Sequence, residues 1–193
     1  MPLSPCVNIN AEQQGQLLDI ARRSIEHGFS SGRPLEPELE PLAENLRQPA
    51  AVFITLTRNG DLRGCIGSLQ AIDALAVAVA NSAFNASFRD RRFSSIEAAE
   101  LDEIDIEIAV LSPLEPIAVD SRQALLEILQ PGVDGLLMED HGYRSTFLPK
   151  VWEKVASPDE FLEQLMIKAG LPPGYWSDSI RFQRYHCHSF AEN

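Results

Sequence analysis

The segment Leu62-Arg63-Gly64-Cys65-Ile66-Gly67-Ser68-Leu69 sets a thiol two residues from a guanidinium and flanks it with glycines. On an extended strand Arg63, Cys65 and Gly67 share one face, while Leu62, Gly64 and Ile66 share the other. The cation then lies about 6–7 Å along the strand from the thiol, where it favours thiolate and makes Cys65 a candidate nucleophile. Gly64 and Gly67 would let a ligand approach the backbone closely. The competing expectation is structural: free cysteine is among the most buried residue types, and strand glycines also mark bulges or tight packing.

A nucleophilic thiol needs a base, and none adjoins Cys65 in sequence. His141, in a hairpin turn, becomes a candidate base if two hairpins face one another across a cleft; otherwise it is a solvated turn residue. His27 stands at a predicted helix end, where a cation complements the helix dipole. His186-Cys187-His188 places both imidazoles on one face of a last strand, a geometry that two ligands of one metal could use, but spacing signals no third or fourth ligand and no metal is assigned. Arg89, Arg91 and Arg92 surround Asp90 between Phe88 and Phe93. They complement a helix C-terminus, or they clamp a carboxylate or phosphate with Asp90 orienting one guanidinium and Arg63 adding a further donor.

The elements that must position these residues follow from periodicity. Asn10 and Gln13 form a capping pair before the apolar stripe Leu17, Leu18, Ala21 and Ile25, with Gly28 the expected stop. Phe29 to Gln48 carries Pro34, Pro37 and Pro41 and reads as a surface loop with one helical turn near Leu39 to Leu46. Ala51 to Thr57 alternates, Asn59-Gly60 supplies a hairpin turn, and the partner strand begins near Leu62. Ala71 to Ala86 reads as a buried helix and Ile104 to Val110 as a strand with one wet face.

A short helix around Ser121 to Leu129 precedes a second hairpin, Asp134 to Met138 and Tyr143 to Leu148, turning through Asp140-His141-Gly142. Ser157, Pro158 and Glu160 then open a helix that Gly170 ends, and Ile180 to Phe190 reads as one last strand. Antiparallel strand signals separated by helices, without a glycine-rich dinucleotide turn, predict an α+β fold of antiparallel hairpins with packed helices, arranged as two lobes around a cleft.

Composition bounds the function classes. The chain has 193 residues, 45% hydrophobic and 23% charged, which excludes disorder, collagen-like structure and a disulfide miniprotein. Its length suits one domain, here expected over residues 1–193 as two closely packed lobes. A formal charge of −12 opposes non-specific binding to phosphate backbones, so nucleic acid is disfavoured as a partner, a structured RNA element excepted. Three cysteines, Cys6, Cys65 and Cys187, are too few and odd in number for a disulfide framework, which favours a reducing, cytoplasmic compartment. Met1 to Asn10 has neither a basic region nor an apolar run, and no later run reaches about 18 apolar residues, so neither export nor membrane insertion is expected.

Leu62 to Leu69 also resembles the AMMECR domain family, whose most recognisable motif is LRGCIG. Asp90-Arg91-Arg92-Phe93 resembles the family's D-x-R-F element and Ile108 to Pro113 its V-S-V-L-S-P strand end, with Ala109 where the family usually has a small polar residue. Gly132 to Leu137 is similar to G-V-D-G-L, Thr146 to Val151 to T-F-L-P-x-V, and Lys168 to Leu171 with Trp176 to K-A-G-L followed by W. The resemblance implies a larger and a smaller lobe with LRGCIG lining the cleft between them. It also implies companionship with a Memo-like protein and a radical SAM enzyme in a modification pathway of unknown substrate. Residue by residue it singles out Arg63, Gly64, Cys65, Gly67, Asp90, Arg92, Phe93, Thr146 and Pro149 without assigning roles. No cofactor is implied for the chain itself.

Two functions fit. In the first, Cys65 is a nucleophile or covalent carrier, and Arg63 and Arg92 hold the anionic group of a small substrate. In the second, the same cleft is a non-catalytic binding module for an anionic metabolite, a peptide or a structured RNA.

Overall fold

Asn10 caps the first helix as its spacing predicts: its side chain accepts the Gln13 N–H at 2.9 Å, and the Gln13 side chain accepts the Asn10 N–H at 3.0 Å. The computed structural model of the chain describes residues 7–192, so Cys6 lies outside the described residues. Helix α1 (Ala11–Ser31) runs past Gly28, the predicted stop, and ends at Gly32 with a left-handed φ of 66°. Gly28 is a contact residue instead. A Cβ there would lie 2.5 Å from the Phe88 ring and 2.8 Å from the Phe84 ring. The penalty for glycine inside a helix, about 0.5–1 kcal/mol, is small beside that packing.

The chain continues through a single turn, α2 (Glu44–Arg47), and the hairpin β1 (Val52–Arg58) and β2 (Asp61–Ser68). Asn59 and Gly60 close that hairpin with φ of 53° and 85°, the pair of positive angles that Asn-Gly supplies. Then come α3 (Leu75–Phe88), a 3₁₀ turn (Ala98–Glu103) and β3 (Ile104–Leu111). The second half holds β4 (Glu115–Ile117), α4 (Arg122–Ile128), β5 (Gly135–Asp140), β6 (Tyr143–Phe147), a 3₁₀ turn (Pro149–Lys154), α5 (Pro158–Lys168), β7 (Arg181–Tyr185) and β8 (Cys187–Ala191).

The fold is α+β, with strand order β2-β1-β3-β8 in one sheet and β4-β7-β5-β6 in the other. The chain divides into two compact units: Ser112–Cys187 belongs to one, while the segment ending at Leu111 and the tail from His188 belong to the other. The expected single strand from Ile180 to Phe190 is therefore two strands, broken at His186, each serving a different sheet. Alternation alone does not show that break, because Tyr185 and Phe190 each meet a local requirement for burial in their own unit.

In the N-terminal unit Val52, Ile54, Leu56, Ile104, Ile106, Ile108 and Val110 are buried with Ala76, Ala80 and Ala83 of α3 and Leu17, Ala21 and Ile25 of α1. The C-terminal unit has its own core of Leu125, Leu136, Met138, Phe161, Leu165 and Phe182, in which the Trp152 and Phe161 rings stack at 3.8 Å. Among the described residues, no helix is long and apolar enough to cross a membrane.

Candidate functional site

β2 is the edge strand of its sheet, and its alternation divides the LRGCIG segment between two faces. Gly64 points at the helices. Cys65 stands on the opposite face, half-buried, in register with Thr55, which in turn is in register with Glu107 of β3. A thiol, a hydroxyl and a carboxylate thus form one row across the sheet. The Thr55 Oγ1 donates to Cys65 Sγ at 3.5 Å.

The outer edge of β2 is closed by a side chain where another strand would pair. Asp90, just beyond α3 and only 7% exposed, accepts the Cys65 backbone N–H through Oδ2 at 2.9 Å. Arg92 completes the bracket by donating Nη2 to the Cys65 carbonyl at 3.2 Å. The two side chains are locked together, with Arg92 Nε to Asp90 Oδ1 at 3.0 Å and Nη2 to Oδ2 at 2.6 Å. Their hydrogen bond holds the Asp90 carboxyl far below its ordinary range, helped by the N–H groups of Cys65 and Arg92. The same bond raises Arg92, to which the Cys65 side chain adds a smaller contribution. Arg92 is therefore the cation held against Cys65, through its backbone carbonyl.

Arg63 has a different role from the one its spacing suggests. Its guanidinium forks onto Glu100, Nε and Nη2 each at 3.0 Å, and donates to the carbonyls of Ser94 at 2.8 Å and Ser95 at 3.2 Å. Its three nitrogens are thereby committed to the loop that follows Arg92. The Arg63 hydrogen bond, with the Glu97 N–H, pulls the Glu100 carboxyl down to about 2. Phe93 lies nearby under the Arg92 guanidinium, 5.3 Å from its ring centroid, and lines an open depression of about 540 Å³ with Arg58, Arg63, Glu97, Glu100 and Glu103. Three carboxylates against two arginines make that surface a poor receptor for an anion.

The glycines of the motif serve backbone packing. A Cβ on Gly64 would lie 2.3 Å from the Ala86 carbonyl oxygen, so only glycine lets α3 come this close to β2. A Cβ on Gly67 would lie 2.2 Å from the Val52 carbonyl oxygen and 2.6 Å from the Phe53 Cα. Both neighbours are backbone and have little room to yield.

The chain matches the AMMECR1 family over residues 18–190. It belongs to that family. It is 34% identical to a protein of Methanothermobacter thermautotrophicus, with 96% of this chain and 97% of the relative covered, and 36% identical to one of Thermococcus gammatolerans, with 91% and 88% covered. Its fold is similar to the crystal structure of the uncharacterized protein PH0010 from Pyrococcus horikoshii, with a TM-score of 0.89, 31% identity, and 96% and 94% of the two chains covered.

The remaining residues singled out by the AMMECR motifs lie in the C-terminal unit. Thr146 Oγ1 donates to the Leu136 carbonyl at 2.9 Å and lies 2.7 Å from the Tyr185 hydroxyl, whose pKa is raised by burial. Pro149 opens the 3₁₀ turn that carries Trp152. His141 sits at the β5–β6 turn with φ of 45°, largely exposed, its Nε2 at 2.8 Å from Ser179 Oγ. It flanks Asp140, a buried carboxylate that accepts hydroxyls from Tyr175, Ser177 and Ser179 and is pulled down to about 2, chiefly by Ser179. His141 thus belongs to a turn-fixing cluster of its own unit, whereas the hydrogen-bond partners found for Cys65, namely Thr55, Asp90 and Arg92, belong to the other.

The two histidines of the tail also separate. His186 Nε2 lies 3.3 Å from Asp134 Oδ1, and His188 Nε2 lies 3.1 Å from Gln14 Nε2, each in its own unit. Sequence reasoning missed Thr55, Glu100 and Glu107 beside this AMMECR motif. The polar positions between the apolar ones of β1 and β3 were the available signal for Thr55 and Glu107. Nothing local announces Glu100 as the partner of Arg63.

Proposed function

We propose that this AMMECR1-family protein acts through Cys65 as a covalent nucleophile or carrier toward a small anionic substrate. The observation that carries the reading is the placement of the thiol: it stands outside the helix-facing core, its own backbone N–H and C=O are fixed by Asp90 and Arg92, and the Thr55 hydroxyl reaches its sulfur. A nucleophile so fixed loses little freedom on reacting. In the step, a bond forms from Sγ to an electrophilic carbon, the bond from that carbon to its leaving group breaks with its electron pair, and the thiol proton departs with that group. Arg92, half exposed, with no partner for Nη1 among the described residues, takes the anion-holding role in place of Arg63.

The proposal keeps the chain in the cytoplasm, where a free thiol persists. The Memo-like and radical SAM companions rest on the family resemblance alone. A test uses two alkylating probes of equal size, iodoacetate and iodoacetamide. Cys65 is expected to prefer iodoacetate relative to Cys187, and Arg92→Ala to remove the preference. An equal ratio at both cysteines contradicts it.

One observation favours the second reading, a non-catalytic binding module: Gly64 and Gly67 are explained by packing and Arg63 by Glu100, which leaves less of the motif to chemistry. Under that reading Cys65→Ser binds the ligand normally, and Arg92→Ala weakens binding.

A further inference from the structure

α3 is not uniformly apolar. Asn81, Ser82, Asn85 and Arg89 recur at helical spacing and form a polar stripe on a helix whose other faces hold Leu75, Ala76, Val79, Ala80 and Ala83 in the core. The stripe borders a pocket of about 420 Å³ whose opposite wall is Ile66, Gly67 and Ser68 of β2. That volume lies within the range of small-ligand sites, and an apolar floor with a few convergent polar groups is their usual construction. Cys65 is not part of its lining; this pocket lies on the other side of β2 from the thiol.

Its polar groups are available. Among the described residues no hydrogen bond engages the side-chain amides of Asn81 or Asn85, and no carboxylate lies within ion-pair distance of Arg89, whose guanidinium rests 5.0 Å over the Phe84 ring. β2 adds backbone groups. The Cys65 N–H and C=O point to the outer edge of the strand, where Asp90 and Arg92 take them, and the antiparallel alternation directs those of Gly67 the same way. Among the described residues no such bracket reaches Gly67, so one donor and one acceptor remain on the edge of the pocket. An exposed strand edge of this kind pairs with an extended chain.

We infer that this pocket binds a short extended peptide of about three residues with a free C-terminal carboxylate. Its backbone pairs with Gly67, its amides meet Asn81 and Asn85, and its carboxylate meets Arg89. The stripe from Asn81 to Arg89 rises about 12 Å, close to the span of three to four extended residues. Charge assigns the direction: Arg89 stands at the C-terminal end of α3, and Asp73 lines the pocket before its first turn.

The test is a ¹H–¹⁵N NMR titration of the full chain with trialanine and with trialanine amide. Trialanine is expected to give saturable shifts of the Gly67 amide and the Asn81 and Asn85 side-chain NH₂ groups, and the amide to need about tenfold more, the cost of a lost charge-assisted hydrogen bond. Arg89→Ala should make the two probes equivalent, and Arg89→Lys should partly restore the difference. Cys65→Ser should leave the titration unchanged, which separates this inference from the chemistry proposed for Cys65. No saturable shift at Gly67 with trialanine, or an undiminished preference for the free carboxylate in Arg89→Ala, overturns it.

Discussion

Asp90 Oδ2 accepts the backbone N–H of Cys65 at 2.9 Å, so a buried carboxylate occupies the position a neighbouring strand would take on β2. Removing it leaves the Cys65 N–H without its partner and frees Arg92. Hydrogen bonds to charged groups contribute about 1.5–3 kcal/mol each in net terms, so Asp90→Ala is expected to lower unfolding free energy by about 2–3 kcal/mol in urea titration. Arg92→Ala should cost less, and the double variant less than the sum of the two, because the side chains act as one bracket.

The Arg63–Glu100 pair sets an acid limb. The folded-state pKa of Glu100, about 2, lies below the ordinary 4.5, so its contribution to stability is complete above about pH 4.5 and is lost as the pH falls toward 2. Asp90, held still lower through Arg92, adds a loss in the same direction beginning below its ordinary 3.8. Denaturant titrations at pH 6, 4 and 3 should show stability falling with acid. Glu100→Gln should be less stable at pH 6 and show a shallower fall; a fall unchanged by the substitution contradicts the assignment.

Gly64→Ala places a Cβ against the Ala86 carbonyl oxygen, a backbone atom inside a helix. Relief requires α3 to move away from β2, and overpacking of this kind costs about 1–3 kcal/mol. A melting temperature equal to that of the unaltered protein would show that α3 and β2 approach less closely than the 2.3 Å contact requires.

Thr55→Val keeps the β-branched shape and removes the hydroxyl that reaches Sγ. Folding should change little, since Thr55 lies on the sheet face away from the helices. Alkylation of Cys65 should slow, which mass spectrometry resolves against Cys187 in the same sample.

The local signals were legible where physics is local. Asn10 with Gln13, Asn59-Gly60, and Ser157 as an N-cap stand where their chemistry placed them, because caps and turns are settled within four residues. Long-range pairing was not legible. Arg63 and Glu100 are separated by 37 residues, and the break at His186 depends on which sheet each half of a continuous alternation joins. Gly28 misled for a related reason: a stop signal and a site of close ring contact use the same residue, and only the rings of Phe84 and Phe88 distinguish them. For the site, the strand faces of Arg63 and Cys65 followed from period two, but the cation bonded to Cys65, at its backbone carbonyl, is Arg92, delivered from beyond α3.

The chemistry proposed for Cys65 requires a usable thiol. Site-resolved alkylation of the folded protein, followed by mass spectrometry with Cys187 as internal comparison, tests this directly. The account predicts that Cys65 is modified in the native state faster than Cys187, and more slowly once Arg92 is replaced by alanine. Protection of Cys65 until the protein unfolds would contradict it and leave the bracket of Asp90 and Arg92 as a device of folding alone.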